Sequence, residues 1–225
     1  MNYAESFKFV FRQPAWPKKM LILVGLTLVP IVGWIMIAGY LLAITRNVIR
    51  GEQQLLPEWT DFGRMFADGL KLIVVAIVWS MVPTIFDLLT DVLDLPLLGL
   101  VDLIVQLIFS VLIISASGAL ASSGNLADGF AVPAIIARVR ATPRPYVTAA
   151  IASTIIAVVA VVVIIIPAVI IGFVLSLILP IGLGIVITIA AGLLLYGLIG
   201  VSAAHLTGQA HRAASGSSLP PAPRF

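Results

Sequence analysis

One stripe of polar side chains could carry chemistry within an otherwise apolar part of this chain. Asp102 is followed by Gln106, Ser110 and Ser117, at steps of four, four and seven residues. On an α-helix these spacings place all four side chains on one side. Polar groups within a membrane helix usually face the bundle interior or a water-filled cavity, so the stripe predicts a polar lining for an ion or small solute. The alternative is that Gln106 and the serines form hydrogen bonds between helices, with Asp102 hydrated near the outer interface.

Other groups that could do chemistry are few. Asp87, Asp91 and Asp94 share a helical face, and clustered carboxylates bind hard cations such as calcium. No EF-hand loop accompanies them, so an exposed acidic turn is the preferred interpretation. His205 and His211 are the only histidines, and their spacing does not match a metal-binding pair. With no cysteine and no Gly-x-Ser-x-Gly or Walker sequence, we expect no catalytic residue, no metal site and no cofactor.

The helices that must position these groups have the composition of membrane helices. From Pro145 to His211 the chain contains no Asp, Glu, Lys or Arg, whereas a helix of a water-soluble domain needs one polar face. Since a bilayer-spanning helix takes about 20 apolar residues, this stretch predicts two spans and a turn. The 225 residues are 61% hydrophobic and only 10% charged. The sequence therefore predicts an integral membrane protein.

Five apolar blocks are separated by shorter segments that carry the charges. The blocks cover about residues 20–45, 70–89, 97–120, 146–171 and 181–206. Residues 87–102 include four Asp, and all 13 Lys and Arg lie elsewhere. Because Lys and Arg favour the cytoplasmic side, the best arrangement has four full spans and a first block that enters and leaves by one side. The basic segments and the C-terminus then lie on the cytoplasmic side of the inner cell membrane.

The first block has the means to turn back. It contains Val29-Pro30-Ile31-Val32-Gly33, and a proline with a nearby glycine breaks or kinks a helix. Its two arms, about 10 and 13 residues long, are too short to cross roughly 30 Å of hydrocarbon. We expect a re-entrant hairpin whose turn is buried against protein, because free backbone groups in lipid are costly. The alternative is one kinked span with the N-terminus outside.

Three segments outside the blocks have the pattern of amphipathic helices at the membrane surface. In residues 58–68 the side chains of Trp59, Phe62 and Phe66 recur at helical spacing. Phe7 belongs to a similar pattern near the N-terminus, and Phe130 to one that covers about residues 126–140. These helices either seal the cytoplasmic rim or contact lipid or a partner. The predicted fold is an all-α, polytopic membrane helical bundle with cytoplasmic-side amphipathic interfacial helices. It forms one membrane domain over residues 1–212, followed by a low-complexity, disordered tail at 213–225.

Residues 39–71 carry a set of residues that marks a family. The set includes Gly39-Tyr40, Arg46, Gly51, Leu56-Pro57-Glu58-Trp59, Asp61-Phe62-Gly63, Phe66 and Gly69-Leu70-Lys71. In these positions the chain resembles an uncharacterised prokaryotic membrane family, domain of unknown function 4013, from about Tyr3 to Tyr146. The resemblance implies a polytopic membrane protein of bacteria and archaea. It implies no activity, cofactor or catalytic residue.

These observations favour a non-catalytic membrane protein: a scaffold, a bilayer-organising protein or an accessory subunit of a larger complex. The alternative is a small transporter or channel lined by the polar stripe. The expected partners are membrane lipids and other membrane proteins, including further copies of the chain. The pI of about 9.5 does not indicate nucleic-acid binding, because the basic residues flank apolar blocks, where they set topology and contact anionic lipid.

Overall fold

The chain is helical wherever the structure describes regular secondary structure. The computed structural model describes residues 5–93, 96–160 and 181–216, and isolated residues between 161 and 174. Within these residues the α-helices are α1 (Glu5–Arg12), α2 (Trp16–Thr27), α3 (Val32–Arg50), α4 (Phe62–Leu93), α5 (Pro96–Ser123), α6 (Val132–Ala141), α7 (Pro143–Ala160) and α8 (Ile181–Ala214), and a 3₁₀ helix covers Leu126–Gly129. The predicted all-α fold is confirmed, with no strand among the described residues.

Four helices are long and apolar enough to cross a membrane. They are α3, α4, α5 from Leu98 onward and α8 from Gly192 onward. The number agrees with the four predicted spans, but the set differs, because α3 belongs to the first apolar block. The fourth block corresponds to α7, which has 18 described residues. The predicted remainder of that block, to residue 171, lies outside the described residues apart from isolated positions.

The first block reverses direction, as its proline and glycine predicted. α2 ends at Thr27 and α3 begins at Val32. Just after the turn Gly33 lies against the backbone of Leu26, so the two helices pack side by side. The prediction of a short second arm was wrong: α3 has 19 residues and is long enough to cross a membrane. The helix continues beyond the apolar block because the charge of Arg46 is neutralised inside the bundle.

The turn of this hairpin is exposed, contrary to the prediction that it would be buried. Leu28 is 67% exposed and Ile31 is 69% exposed. The turn satisfies its own backbone instead, since the N–H groups of residues 28, 29, 32 and 33 donate to carbonyls within residues 25–30. Apolar side chains can face lipid here because these backbone groups are not left without partners.

The C-terminal ends of α3, α5 and α8 meet at one end of the bundle. α3 and α8 run parallel, because Leu41 lies against Gly200 and Val48 lies against Gly208. α5 joins them where Arg46 of α3 donates to the carbonyl oxygen of Ala121 at 3.1 Å. Most of the described basic residues therefore belong to helix ends and loops at this end.

Asp87 and Asp91, near the end of α4, lie at the opposite end of the bundle. Lys71, near the start of α4, donates to the carbonyl oxygen of Gly124 at 2.9 Å, beside the end of α5. From Lys71 to Asp91 the helix advances about 30 Å at 1.5 Å per residue, which is the thickness of the hydrocarbon core. Asp91 thus lies about one hydrocarbon thickness from Lys71, whereas Asp68 and Glu58 pair with basic residues at the first end.

Two predicted surface helices have different bounds in the structure. Residues 58–68 do not form a separate helix: α4 begins at Phe62 and continues into the span. Its start is capped by Asp61, whose carboxylate accepts from the backbone N–H of Arg64 at 3.1 Å. The predicted helix over residues 126–140 is divided between the 3₁₀ helix and α6. Pro133 explains the division, because a proline has no N–H and its ring displaces the carbonyl four residues earlier.

The predicted N-terminal helix is present as α1, and its Phe9 and Val10 side chains are buried in the bundle. At the other terminus α8 continues two residues beyond the predicted domain boundary, to Ala214. The predicted disordered tail lies outside the described residues from residue 217 onward.

Candidate functional site

The predicted polar stripe lies on α5 but does not converge on one internal site. Gln106 is exposed, whereas Asp102 and Ser117 are half-buried. The hydroxyl of Ser110 donates to the carbonyl oxygen of Leu107 in its own helix, at 2.8 Å. One carboxylate oxygen of Asp102 is buried without a hydrogen bond to the described residues. The polar-lining function of these residues stays a prediction.

The strongest buried electrostatic interaction joins α3 to α4. Arg46 and Asp68 form an ion pair with 2.8 Å between Nη1 and Oδ2, and their side chains are 6% and 9% exposed. Lys71 and Arg64 approach the same carboxylate at 3.7 and 3.8 Å. One carboxylate therefore interacts with three cations, of which Arg46 is the most deeply buried. We call Arg46, Asp68 and Lys71 the interhelical ion cluster.

The cluster also completes the C-terminal end of α5. The last carbonyl groups of a helix have no partner within the helix, and cations near that end are favourable. Arg46 Nε donates to the carbonyl oxygen of Ala121, and Lys71 Nζ donates to that of Gly124. Arg46 and Lys71 thus bind the end of α5, and the Asp68 carboxylate of α4 pairs with both cations. The cluster fixes three helices relative to one another.

A second buried cation holds the start of α2. The Lys19 side chain is 2% exposed, and its Nζ lies 2.7 Å from Glu58 Oε1 and 2.8 Å from the carbonyl oxygen of Leu56. The hydrogen bond from Lys19 holds the pKa of the Glu58 carboxyl below its ordinary value. The loop between α3 and α4 is therefore attached to α2 by a charge-assisted hydrogen bond.

An aromatic pair completes this attachment. Trp59 stacks on Tyr40 with 4.2 Å between ring centroids and 3° between planes, and its indole N–H donates to the carbonyl oxygen of Lys19 at 3.3 Å. Trp59 is 9% exposed, so it is part of the core. The prediction that Trp59 lies at the membrane surface was wrong, because Trp59 precedes α4 and does not share its outer face.

The other predicted interfacial residues occupy mixed positions. Phe62 is 54% exposed on the first turn of α4. Phe66 is half-buried against the core around α3, and Phe130 packs against the cluster of Val75 and Trp79. The side chain of Phe7 lies outside the described residues. Exposure of Phe62 fits the predicted surface contact, and Phe66 and Phe130 contribute mainly to internal packing.

Two glycines of the family motif let α3 and α4 cross closely. A Cβ atom at Gly39 would overlap the carbonyl of Met65, and one at Gly69 would overlap the carbonyl of Ile35. Each glycine therefore faces the backbone of the other helix. A third motif glycine, Gly51, ends α3 in the left-handed conformation, with φ of 70°, which residues with a side chain rarely adopt. The motif glycines thus have identifiable backbone functions.

The two histidines pack at the end of the bundle where α8 finishes. The ring of His205 stacks on Phe9 of α1, with centroids 4.4 Å apart. His211 Nδ1 lies 3.3 Å from the hydroxyl oxygen of Tyr146 at the start of α7. Among the described residues, no group of three or more His, Asp or Glu side chains could hold a metal ion. Both histidines join neighbouring helices to α8.

The arrangement is that of an internal structural joint formed by residues 39–71. The interhelical ion cluster, the Lys19–Glu58 pair, the Tyr40–Trp59 stack and the glycine crossing all include residues of the family motif. Sequence reasoning missed these contacts because their partners are distant in the chain. One signal was available: Asp61 before Phe62 is a helix N-cap, which places Trp59 outside the helix.

Comparison with known proteins gives one match. The family described as Protein of unknown function (DUF4013) matches residues 22–169. The match begins later and extends further than the resemblance predicted from about Tyr3 to Tyr146, and it includes residues 39–71. No curated protein and no solved structure matches the chain. The chain belongs to the family Protein of unknown function (DUF4013).

Proposed function

We propose that this chain is a non-catalytic membrane protein that acts by association within the bilayer, as a scaffold, a bilayer-organising protein or an accessory subunit. The observation that carries the proposal is the use of the motif residues. Their charged and aromatic groups contact other side chains of this chain, and these contacts stabilise the fold. Among the described residues, apolar side chains on the outer faces of the helices are available for contacts, including exposed Ile77 on α4 and Leu103 and Ile104 on α5.

The proposed location is the inner cell membrane, with the basic segments and the C-terminus in the cytoplasm. The partners proposed are lipids and membrane proteins, and not nucleic acids. Single cysteines replacing Lys18, Arg64, Arg140 and Arg212 should be labelled only from the cytoplasmic side, and a cysteine replacing Asp91 only from the other side. The native chain has no cysteine, so no background labelling arises. Labelling of position 18 from the periplasmic side alone would contradict this orientation.

A small transporter or channel is the second candidate. It is favoured by Asp102, whose buried carboxylate oxygen has no hydrogen bond to the described residues, since unpaired polar groups within membranes mark transport pathways. Against it, Gln106 is exposed on the outside of the bundle. A pathway across roughly 30 Å needs polar groups at several depths, yet Ser80 and Thr154 donate to carbonyls of their own helices.

Solute flux in liposomes separates the two candidates. The purified chain and its Asp102→Asn variant are reconstituted at equal density, with Thr90→Val as a control for a polar substitution on a neighbouring exposed helix. We expect no selective flux from any of the three proteins. Transport would become the favoured function if the native chain gave a selective flux that Asp102→Asn changed and Thr90→Val did not.

A further inference from the structure

The bend between α6 and α7 carries three arginines that have no acidic partner among the described residues. Arg138 and Arg140 lie in the last turn of α6, and Arg144 lies in the first turn of α7. Arg138 is half-buried, whereas Arg140 and Arg144 are exposed. No Asp or Glu follows Asp128 in the sequence, and none of the three arginines forms an ion pair with a described residue. We call Arg138, Arg140 and Arg144 the arginine corner.

The basic residues of the structural joint differ, because carboxylates of the same chain pair with them. Lys19 pairs with Glu58. Arg50 pairs with Glu52, and the Asp68 carboxylate interacts with three cations. The arginine corner instead presents three positive charges that no carboxylate of the described residues balances. An anion from outside the chain would therefore be bound more favourably there than at the joint.

The position of Arg138 is fixed by the helices beneath it. Its guanidinium lies beside the Tyr146 hydroxyl and near His211, and those two side chains are 3.3 Å apart at the hydroxyl oxygen and Nδ1. Arg138 Nη1 is buried without a hydrogen bond to the described residues, and a buried donor without a partner is unfavourable. The residue as a whole is half-buried, so an anion can approach its charge from the surface.

The arginine corner lies where α7 enters the apolar part of the chain. After Arg144 the helix continues to Ala160 without a charged residue. Basic residues next to such a segment lie at the level of the lipid headgroups. The phosphate diesters of phospholipids lie at the same level, and the planar guanidinium group binds phosphate oxygens through two parallel hydrogen bonds. Charge, geometry and depth thus all match a phospholipid headgroup.

We infer that the arginine corner binds the headgroup phosphate of an anionic phospholipid in the cytoplasmic leaflet. The inference names the lipid partner within the association proposed above, and it rests on that proposal for the cytoplasmic position of the corner. Phosphatidylglycerol is favoured over phosphatidylcholine, although both have a phosphate diester. The choline group of phosphatidylcholine balances its own phosphate, so that lipid leaves the charge of the arginines uncompensated.

Energy transfer to labelled lipids measures this preference on the full-length chain. A donor dye is attached to the variant Ala141→Cys, because Ala141 is exposed beside the arginine corner and the native chain has no cysteine. The chain is reconstituted in phosphatidylcholine vesicles that contain traces of acyl-labelled phosphatidylglycerol or acyl-labelled phosphatidylcholine as acceptor. We expect phosphatidylglycerol to bind near the dye at least tenfold more strongly than phosphatidylcholine. Replacement of all three arginines with Gln should remove this preference.

Single substitutions test the charges without disturbing internal packing. Arg140→Gln and Arg144→Gln replace exposed side chains, and each should weaken phosphatidylglycerol binding about fivefold, which corresponds to about 1 kcal/mol per basic residue at a membrane surface. The matched controls Arg50→Gln and Arg64→Gln remove the same charge from exposed residues that have a carboxylate within the chain. These controls should leave the preference near the dye unchanged.

Three outcomes would contradict the inference. Equal binding of the two lipids by the chain with all its arginines would overturn it, and so would equal losses in the arginine-corner variants and the controls. Displacement of phosphatidylglycerol by inorganic phosphate, but not by chloride at the same ionic strength, would show a site for free anions and overturn lipid as the occupant. These outcomes leave the association of protein chains intact, whereas Asp102-dependent flux would overturn the proposed function alone.

Discussion

Removal of the Asp68 carboxylate is the sharpest perturbation of the structural joint. Asp68→Asn keeps the shape of the side chain and removes the charge that balances Arg46 at 2.8 Å. Lys71 and Arg64 approach the same carboxylate, so the variant leaves three cations close together. The Arg46 side chain is 6% exposed, so bulk water cannot replace the lost carboxylate as it would at the surface. We expect the folded state to lose much of its stability.

The magnitude follows from the burial of the pair. Two unit charges at 2.8 Å attract by about 6 kcal/mol at an effective dielectric constant of 20. Forming the pair costs the hydration of both ions, so its net contribution is smaller. Removing one partner leaves the other charge buried and uncompensated, which typically costs about 3–5 kcal/mol. The double variant Arg46→Met, Asp68→Leu removes both charges and should recover at least half of that loss.

The free energy of unfolding can be measured in mixed micelles by titration with a denaturing detergent, with helical circular dichroism as the signal. Glu52→Gln is the matched control, because Glu52 pairs with Arg50 at 3.8 Å and both side chains are about half exposed. An exposed pair contributes less than about 1 kcal/mol. If Asp68→Asn costs no more than Glu52→Gln, or if the double variant is less stable than Asp68→Asn, the buried pair does not stabilise the joint as argued.

Three further predictions concern the same joint. Gly39→Ala should destabilise the fold, because the added Cβ atom would overlap the backbone of α4. The control Gly25→Ala has open space around it and should be neutral or stabilising by up to about 1 kcal/mol. Equal thermal stabilities of the two variants would refute the close crossing. Trp59→Ala should lower the free energy of unfolding by about 3–5 kcal/mol, because it removes a buried aromatic side chain. Phe62→Ala should change the unfolding in detergent little, because Phe62 is exposed. The reverse order would support the predicted surface position of Trp59. The pKa of the Glu58 carboxyl is lowered, so its contribution to the free energy of unfolding is complete above the ordinary Glu pKa and is lost as the pH falls through the lowered pKa. The difference in unfolding free energy between the native chain and Glu58→Gln should therefore disappear at low pH. A difference that persists in full below the lowered pKa would contradict this.

The sequence predicted those features that depend on local pattern. Pro30 and Gly33 located the reversal of the first block. The position of Asp87 and Asp91 away from every Lys and Arg predicted that they lie at the end of α4 opposite Lys71. Each of these depends on hydrophobicity, charge or backbone preference within one segment, which a single sequence displays directly.

The joint could not be derived in the same way because its contacts link distant segments. Arg46 follows the first apolar block in the sequence, and an unpaired charge in a membrane helix is unfavourable. Its carboxylate partner is 22 residues away, and the carbonyl oxygen that it also binds is 75 residues away. The spacing of Trp59 to Phe62 predicts a surface position, whereas the stacking of Trp59 on Tyr40 depends on the path of the loop. Side-chain period identifies a shared face only within one continuous helix.

The central claim is that this protein acts through association within the membrane. Native mass spectrometry of particles released from cell membranes in copolymer discs, without detergent, measures the protein content of each assembly directly. We expect assemblies that contain more than one protein chain. Particles that contain a single 23.8 kDa chain and only lipid would contradict it.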